Sequence, residues 1–397
     1  MTNPYSAKQW LQLNMQQQGL LQPAPSLNTL LQQLSYIQID SINVVERAHH
    51  HVLQSRMPNY TPTMLDEAMA NKTVFEYWSH AAAYLPINDY RFSLYRKQQL
   101  QQGGKHWFEP EHKVMREVKA RISTEGPLKA NQFQHESDTQ NGTWWDWKPA
   151  KKALEQLFME GELMAVKRQG FQKVYDLTER ALPAGIDTSV PTEQEFYRYL
   201  ITRCLQANGL ASASEIAYLR KGIKRKVETE CVNMFEDGEL QQLECQGQLY
   251  YALPNVQKLL SQPLKASQVK ILSPFDNLLI QRKRMQQLFD FDYQIECYVP
   301  EPKRQYGYFS LPLLWGSGFA GRMDAKIERK TGLLSIQHLH IETPKIEAFI
   351  QNFLPALREF LLLNKGCHIC VNRLSASDVL SDKNLKACRQ MIENLSL

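Results

Sequence analysis

The pattern of apolar and polar residues in the middle of the chain occurs twice. In the first copy, apolar residues within 154–158 have the spacing of a helix with one apolar face. A Gly-Glu-Leu step at 161–163 follows, whose glycine suits a helix C-cap, and apolar residues then alternate on both sides of Gly170, which predicts a β-hairpin. The second copy has its Gly-Glu-Leu step at 238–240 and its turn at Gly247.

Two shorter helices are predicted before each copy. They cover 111–124 and 129–134 before the first copy, and 194–208 and 212–219 before the second. Three helices followed by a hairpin is the order of a winged helix-turn-helix unit. Two unrelated α+β modules could share the glycine turn by chance, but we favour a repeat because the helix end, the hairpin and the order of elements all recur.

The two ends of the chain have different patterns. The first 108 residues fit a third unit of the same kind, with a strand over 74–80 after helices at 7–18, 27–34, 43–54 and 64–70. The last part predicts a helix over 344–363 and strands at 269–272, 294–299, 306–311, 320–328 and 333–341.

We therefore expect an α+β protein with three tandem winged helix-turn-helix domains and a C-terminal β-barrel or sheet. The predicted winged-helix domains cover 1–108, 109–187 and 188–257, and the barrel or sheet with its flanking helices covers 258–397.

Composition limits the function only coarsely. The 397 residues are 43% hydrophobic and 22% charged, which is typical of a globular protein and excludes a disordered or collagen-like chain. No apolar run approaches the ~20 residues of a membrane span, and the first ten residues lack a signal-peptide core, so we expect a soluble cytoplasmic protein that is nucleoid-associated when it binds DNA. Seven cysteines without framework spacing suit a reducing compartment. The net charge of +5 permits a polyanionic partner without requiring one.

The position of the positive charge is more informative than its total. The predicted third helices of the two repeats carry Lys148, Lys151 and Lys152 in one, and Arg220, Lys221, Lys224, Arg225 and Lys226 in the other. The C-terminal part adds Arg282, Lys283, Arg284, Lys303 and Arg304, with Tyr306 and Tyr308 beside the last two. Lysines on such helices neutralise DNA phosphates. One cluster alone would be explained as a solvated helix face, but three favour duplex DNA. The tryptophans of 144–147 are explained better as core residues than as a base-stacking platform.

The candidate for chemistry is Gln38-Ile39-Asp40. In an extended segment Gln38 and Asp40 project to one side, while Ile37 and Ile39 hold the segment in the core. A paired amide and carboxylate can orient and deprotonate one water molecule. From the spacing alone, we favour a simpler explanation, the start of a helix with Asp40 or Ser41 as its N-cap.

Several segments, in order from about residue 10 to residue 345, resemble the YcaQ-like (AlkX/AlkZ-type) DNA glycosylases of the winged-helix family. The segments are 38–47 (QIDSINVVER), 76–80 (EYWSH), 144–149, 171–178, 272–276 (LSPFD), 288–298, 302–309 and 321–326. The resemblance implies three tandem winged helices and a β-barrel around duplex DNA. It also implies excision of N7-alkylated purines and unhooking of interstrand crosslinks of the nitrogen-mustard type.

The family's catalytic motif, Gln, an apolar residue, then Gln or Asp, falls on Gln38, Ile39 and Asp40. The Asp form resembles the branch with broader substrates. Trp78 and His80 match another shared segment and are secondary site candidates without an assigned role.

The chemistry implied by this resemblance needs no metal or organic cofactor. An N7-alkylated purine is cationic and leaves as a neutral base, so the protein has only to stabilise the sugar cation and position water. Without a lysine in the motif to form a Schiff base, we expect a monofunctional glycosylase that leaves an abasic site. We expect a monomer whose partner is double-stranded DNA carrying alkylated or crosslinked purines. The alternative is a non-catalytic tandem winged-helix DNA-binding protein, such as a transcription regulator.

Three other groups carry weaker signals. Consecutive residues such as 49–51 (HHH) point in different directions on a helix, which disfavours a metal site. Cys367 and Cys370 lack a second pair to complete a zinc site. Asp276, Glu296 and Asp324 could supply a second catalytic carboxylate, but turn capping and ion pairing explain them better.

Overall fold

The computed structural model describes residues 6–104, 109–133, 147–245, 247–254, 256–260, 268–377 and 382–395. The chain forms two compact units. Unit 1 contains Met1–Pro25, Gln38–Tyr60 and Cys204–Leu397, and unit 2 contains Ser26–Ile37 and Thr61–Arg203.

Helices and strands alternate along the chain in short groups. The α-helices are α1 Ala7–Gln17, α2 Leu27–Leu34, α3 Ala48–Gln54, α4 Pro62–Ala70, α5 Tyr90–Gln101, α6 His112–Glu125, α7 Trp147–Glu160, α8 Thr178–Ala181, α9 Glu193–Asn208, α10 Ala213–Ile216, α11 Lys224–Glu236, α12 Val256–Leu260, α13 Arg282–Phe289, α14 Ile346–Leu363 and α15 Asp382–Glu393. The strands are β1 Ile37–Gln38, β2 Val74–Trp78, β3 Ala82–Pro86, β4 Leu128–Lys129, β5 Leu163–Gln169, β6 Gln172–Leu177, β7 Leu210–Ala211, β8 Gln241–Cys245, β9 Gln248–Ala252, β10 Val269–Ile271, β11 Ser310–Trp315, β12 Gly318–Glu328, β13 Leu333–Ile341, β14 His368–Val371 and β15 Leu374–Ala376. Short 3₁₀ helices cover Ile87–Asp89, Ala130–Phe133 and Glu301–Lys303.

Three small sheets share one topology. Their strand orders are β1-β3-β2, β4-β6-β5 and β7-β9-β8, so the second strand of each hairpin lies in the middle beside a short earlier strand. The predicted hairpins around Gly170 and Gly247 are therefore confirmed as β5–β6 and β8–β9. The boundary between the two units falls inside β1.

The helix before each of these hairpins ends at the predicted glycine. Gly161 and Gly238 have φ values of +83° and +76°, a conformation that glycine adopts without steric cost. At Gly161 the space is also closed, because a Cβ atom would lie 2.6 Å from Cδ of Lys97. The Gly-Glu-Leu step thus reflects the same backbone requirement in both repeats.

Unit 2 has its core where the helical periodicity predicted it. Leu154, Leu157 and Phe158 of α7 are buried in one apolar cluster with residues of α6 and β5. Inside this unit the buried carboxylate of Glu76 on β2 binds the guanidinium of Arg168 on β5 through two hydrogen bonds of 2.7 and 2.8 Å. This ion pair joins the two small sheets of unit 2.

Unit 1 contains the third small sheet and the C-terminal sheet. The latter has the order β10-β11-β12-β13-β14, with β15 also pairing with β13. Strands β10 to β13 are antiparallel, and β14 and β15 run parallel to β13. Within the described residues no pairing joins the edge strands β10 and β14, so the sheet is open. Helix α14 contributes Phe349, Phe353 and Leu357 to the apolar core on this sheet.

Two predicted elements, the strand over 294–299 and the first part of the helix over 43–54, are wrong. Residues 294–299 form no strand, and β11 begins only at Ser310. The carboxylate of Glu296 accepts hydrogen bonds from the N–H groups of residues 305–307, so this stretch folds into a turn. The predicted helix over 43–54 begins only at Ala48.

The stretch before α3 is irregular because β12 and the residue after it engage its polar groups. The side chain of Arg329 donates hydrogen bonds of 2.8 and 2.9 Å to Oδ1 of Asn43 and to the carbonyl of Val45. The backbone N–H of Ile327 donates to the carbonyl of Val44 at 3.4 Å. A helix over these residues would need the same carbonyls for its own ladder.

Three further predicted helices are shorter than expected. Of the predicted helix over 129–134, Lys129 ends a short strand and Ala130–Phe133 form a 3₁₀ turn, while residue 134 lies outside the described residues. Residues 212–219 contain only α10, and the second basic helix starts at Lys224, so Arg220 and Lys221 precede it. In the described ranges, no helix combines the length and apolar character needed to span a membrane.

Lys97 is a charged residue buried in the core of unit 2, so it tests how burial of a charge affects stability. Its side chain is only 3% exposed, and its ammonium lies 4.0 Å from the ring of Tyr90 and 4.6 Å from the ring of Tyr77. No ion pair to a carboxylate is found for it among the described residues. Burial lowers the pKa of Lys97 to about 7. The folded state therefore binds the Lys97 proton more weakly than the unfolded chain does. The resulting decrease in the free energy of unfolding is largest below pH 7 and disappears as the pH rises towards the pKa of lysine in the unfolded chain.

We expect Lys97→Met to raise the free energy of unfolding relative to wild type by up to about 4 kcal/mol near pH 6, with the difference shrinking as the pH rises. Urea denaturation between pH 6 and pH 9.5 measures it. Lys113→Met, at an exposed position of α6, controls for the loss of one positive charge. A difference for Lys97→Met that stays constant with pH would contradict this account.

Candidate active site

The segment that carries Gln38 and Asp40 passes from β1 into the irregular stretch before α3. Ile37 and Ile39 are buried, as the alternating pattern predicted. Gln38 is also buried, at 8% exposure, whereas Asp40 is half-buried. The carboxylate is thus the part of the motif that solvent reaches.

Asp40 does not begin a helix. Helix α3 starts at Ala48, eight residues later in the chain, with Arg47 as its N-cap, so the explanation of Asp40 or Ser41 as a helix cap is wrong. Instead, Oδ1 of Asp40 accepts a hydrogen bond of 2.8 Å from the backbone N–H of Ile42. Burial raises the pKa of the Asp40 carboxyl above its ordinary value, and hydrogen bonds from the backbone of Ile42 and Ser41 oppose that rise.

Gln38 has unused hydrogen-bonding capacity. Its Oε1 atom is buried and accepts no hydrogen bond from any described residue. Buried polar atoms without a protein partner usually bind water or a ligand. The amide of Gln38 and the carboxylate of Asp40 are therefore two polar groups, two residues apart, with acceptor atoms available for a small polar molecule.

An ion pair within unit 1 holds the chain just after the motif. The guanidinium of Arg56 and the carboxylate of Asp276 form two hydrogen bonds of 2.7 and 2.8 Å, and both side chains are fully buried. Arg56 also donates to the carbonyls of Gln18 and Val52, at 2.6 and 3.1 Å. Because a buried charge is costly unless all its donors are used, this geometry strongly favours one position for the segment 38–60.

The three additional carboxylates have the structural roles that the sequence favoured. Asp276 pairs with Arg56 and accepts from the N–H of Leu278 at 2.9 Å. Glu296 binds the N–H groups of residues 305–307, and Asp324 binds those of Tyr308 and Phe309 at 2.9 and 3.0 Å. None of the three is left available as a second base.

The sequence patterns missed two residues, Cys297 and Tyr298, whose pKa values the charge of Asp40 influences. Burial raises the pKa of the Cys297 thiol, and the Asp40 carboxylate raises it further. The pKa of Tyr298 is raised by loss of hydration, by Cys297 and by Asp40. No spacing rule connects residues 257 positions apart (297 − 40), so only the fold brings them together.

The candidate DNA contacts differ in exposure. Lys151, Lys152, Lys224, Arg225 and Lys303 are exposed, with Lys224 lying 3.6 Å from Glu228. Lys148 belongs to α7, but its side chain lies outside the described residues, as do residues 144–146. Arg304 and Tyr306 are half-buried.

Two of the basic residues predicted to contact DNA, Arg282 and Arg284, also make hydrogen bonds inside unit 1. Arg284 is 3% exposed and pairs with Glu215 at 2.9 Å. Arg282 donates hydrogen bonds of 2.7 and 2.6 Å to the carbonyls of Leu279 and Pro274. A phosphate could reach Arg284 only by breaking a buried ion pair.

The secondary candidates Trp78 and His80 both belong to unit 2. The guanidinium of Arg96 lies 5.5 Å from the Trp78 ring, and the His80 ring meets the Tyr36 ring edge-on at 5.0 Å. Such contacts are those of aromatic side chains packed at the edge of a core, and they assign no chemical role.

The weaker signals are explained by separate contacts. His50 Nδ1 lies 2.7 Å from the Tyr60 hydroxyl, and His51 Nε2 lies 3.0 Å from the carbonyl of Ile271. The Sγ atoms of Cys367 and Cys370 contact different oxygen atoms, of Thr331 and Asn372. In the part of the chain that the structure describes, no three His, Cys, Asp or Glu side chains are grouped to hold a metal ion.

Comparison with known proteins connects this geometry to a family. The family model "DNA glycosylase AlkZ-like" matches residues 31–360, which is most of the chain and includes Gln38, Asp40 and strands β10 to β13 of the C-terminal sheet. The chain belongs to the AlkZ-like DNA glycosylases. The solved structure of the DNA glycosylase AlkZ from Streptomyces sahachiroi has a similar fold, with a TM-score of 0.62 and 16% identity over 94% of this chain and 100% of that one.

Membership of the AlkZ-like family decides between the two functions considered from the sequence. A DNA glycosylase is a hydrolase of N-glycosidic bonds, and the non-catalytic transcription regulator is not favoured. In a DNA glycosylase, Gln38 and Asp40 are candidates for the catalytic residues, which their spacing alone does not indicate.

We expect the ion pair that holds the motif segment to be essential for stability. Asp276→Asn keeps an acceptor for the N–H of Leu278 but leaves the Arg56 charge buried and unpaired, which should lower the free energy of unfolding by about 3–5 kcal/mol. Urea denaturation measures this, with Asp290→Asn in an exposed turn as the matched control. The double variant Arg56→Met/Asp276→Leu should be less destabilised than Asp276→Asn. Equal stability of Asp276→Asn and wild type would show that the pair is not the anchor.

Proposed function

We propose that this enzyme hydrolyses the N-glycosidic bond of N7-alkylated purines in duplex DNA and unhooks interstrand crosslinks of the nitrogen-mustard type, leaving an abasic site. The observation that carries the proposal is the buried Gln38 amide oxygen without a partner among the described residues, two positions before the half-buried carboxylate of Asp40. AlkZ, the similar solved structure, is itself named a DNA glycosylase.

The substrate supplies its own leaving-group activation. Alkylation at N7 gives the purine a positive charge, so the base departs neutral and no general acid has to protonate it. As the bond to C1′ breaks, positive charge moves onto the sugar, and a nearby carboxylate stabilises that charge. Asp40, half-buried and ionised, supplies this field.

The same two residues also position the nucleophile. A water molecule that donates a hydrogen bond to the Gln38 oxygen and a second one to the Asp40 carboxylate is oriented by both, and the carboxylate accepts its proton as it attacks C1′. Because desolvation raises the pKa of Asp40, the carboxylate is a stronger base than an exposed aspartate. No lysine occurs in the segment 38–47, which supports a monofunctional glycosylase without a Schiff-base intermediate.

Binding to the duplex is assigned to the repeated helix–hairpin elements. The shared topology of the three small sheets supports three tandem winged helices, and the exposed Lys151, Lys152, Lys224 and Arg225 lie on the helices before two of the hairpins. Lys303, Arg304 and Tyr306 would add contacts beside the catalytic segment. We expect the enzyme to act as a monomer with no cofactor.

The decisive experiment uses a duplex with one N7-methylguanine and detects abasic sites by alkaline cleavage. We expect wild type to release the base and Asp40→Asn to be at least about 100-fold slower, with little change in DNA affinity, because the amide can neither accept the proton nor stabilise the sugar cation. Glu347→Gln, at an exposed position of α14, is the matched control.

The pH dependence adds an independent check on the same residue. The carboxylate must be ionised, so the wild-type rate should fall as the pH drops through the raised pKa of Asp40, and the residual rate of Asp40→Asn should lack that step. Wild type that releases base neither from N7-methylguanine nor from a mustard crosslink would refute the proposed substrate. A fully active Asp40→Asn would move the base to another residue.

The contribution of Lys303 and Arg304 to DNA binding can be measured through the salt dependence of the affinity. We expect Lys303→Ala and Arg304→Ala to weaken DNA binding and to reduce the slope of log K against log[salt] by roughly one unit for each DNA phosphate that is no longer neutralised. Lys303→Arg keeps the charge and should keep the slope. An unchanged slope in the alanine variants would place these two residues away from the DNA.

A further inference from the structure

A turn in unit 1 has an unusually well-fixed backbone. It covers residues 296–309 and is named here the 296–309 turn. Glu296 accepts hydrogen bonds of 2.9, 2.8 and 2.9 Å from the N–H groups of residues 305, 306 and 307. Asp324 of β12 accepts from the next two N–H groups, those of Tyr308 and Phe309. Five consecutive backbone donors are therefore bound by two buried carboxylates.

Gly307 allows the close approach between this turn and β12. Its φ is +131°, and a Cβ atom would lie 2.0 Å from Oδ2 of Asp324. Any side chain here would separate the turn from the carboxylate that holds it.

A chain of hydrogen bonds fixes the turn from its other side. His338 Nδ1 lies 3.2 Å from the Tyr306 carbonyl, and a carbonyl only accepts, so this nitrogen is the donor. His338 Nε2 then accepts from the hydroxyl of Ser375 at 2.7 Å, and Ser375 accepts from Nδ1 of His340 at 2.8 Å. The Tyr306 ring also faces the Arg322 guanidinium at 4.0 Å.

The anchored turn exposes aromatic rings. Tyr298 is 76% exposed, and Tyr308 is 42% exposed. The Arg304 guanidinium lies 5.1 Å from the Tyr308 ring, and its Nε donates a hydrogen bond of 2.9 Å to the carbonyl of Val299. Tyr308 belongs to the anchored residues 305–309, and Tyr298 follows Glu296, the carboxylate that binds the first three of them, by two positions. Exposed aromatic rings on or next to a well-held backbone are typical of a binding surface, because little conformational entropy is lost when a ligand packs on them.

Packing within unit 1 brings this turn close to the motif segment. Ile42 and Val44 pack on the same apolar core as Ile295, the residue before the turn. Strand β12 contacts both, because Ile327 meets the carbonyl of Val44 and Asp324 holds residues 308–309. Asp324 and Ile327 are three residues apart on β12, and three residues of a strand span about 10 Å. The Asp40 carboxylate also influences the pKa of Tyr298, although loss of hydration and Cys297 contribute more.

We propose that the exposed ring of Tyr298, supported by Tyr308, contacts the positively charged purine on which Asp40 acts and makes the site selective for base charge. The inference rests on the proposed function and adds a basis for substrate choice to it. The face of a tyrosine ring attracts a cation within about 6 Å, whereas a neutral purine of equal shape gains only stacking. Selectivity then follows the charge of the lesion rather than its size, which suits bulky adducts.

The contact has a distinctive kinetic consequence. The attraction is strongest before the bond breaks, because the base loses its charge as it leaves. Losing the ring should therefore weaken substrate binding and raise KM while leaving kcat unchanged or slightly higher. This pattern is opposite to that of Asp40, whose removal lowers kcat.

Two modified duplexes test the inference directly. One contains 2′-fluoro-N7-methyldeoxyguanosine, which is cationic and resists hydrolysis because the fluorine disfavours a sugar cation. The other contains 7-methyl-7-deazadeoxyguanosine, which is neutral and nearly the same shape. We expect wild type to bind the cationic duplex more tightly, Tyr298→Leu to reduce that ratio of affinities by about three- to tenfold, and Tyr298→Phe to keep most of it because the ring remains. Thermal unfolding of each variant verifies that it folds.

The outcomes separate the two proposals. If wild type releases N7-methylguanine but binds both modified duplexes equally, or Tyr298→Leu keeps the wild-type ratio, the aromatic contact is refuted and the glycosylase function stands. A fall in kcat without a change in KM for Tyr298→Leu would also refute it. If wild type releases no alkylated base, the proposed function fails first.

Discussion

The buried ion pair between Arg56 and Asp276 is the interaction on which the candidate active site depends. Its two hydrogen bonds join the segment 38–60 to the loop after β10, and further bonds from Arg56 reach Gln18 in the first stretch of unit 1. Three stretches that are far apart in the chain thus meet at one guanidinium. A buried charge tolerates few arrangements, since each unsatisfied donor costs free energy. Such a pair restricts where the chain can run more than apolar contacts do.

Carboxylates in unit 1 divide into two kinds by their surroundings. Glu296 and Asp324 are buried and bound by backbone N–H groups, so their negative charge is used to hold a turn. Asp40 is half-buried, and among the described residues its hydrogen bonds come from the next residues of its own chain; burial raises its pKa, as it does that of Asp324. A carboxylate that is desolvated but incompletely bound retains basicity and field strength for a substrate. The same carboxylate group therefore holds the backbone in one place and, in the proposed function, acts on the substrate in the other.

The local elements were predictable where their pattern is local. The periodicity of α7, the glycines that end α7 and α11, and both repeated hairpins follow from spacing and backbone preference, and the structure confirms them. The predictions failed at 43–47, where Arg329 and the N–H of Ile327 bind the backbone carbonyls, and over 306–309 of the predicted strand 306–311, where the carboxylates of Glu296 and Asp324 bind the backbone N–H groups. The charge of Arg284 pairs with Glu215 inside the unit, which its position in the sequence does not indicate.

The sequence by itself determined the repeated helix–hairpin units and the α+β class, because these depend on neighbours within a few residues, and it also predicted Gln38 and Asp40 as candidate site residues. Only the tertiary structure decided that Asp40 lies outside any helix and that the Gln38 oxygen is left without a partner among the described residues. It also decided that Cys297 and Tyr298 lie within the electrostatic reach of Asp40. Burial, desolvation and hydrogen-bond competition arise between residues hundreds of positions apart, and no local pattern contains them.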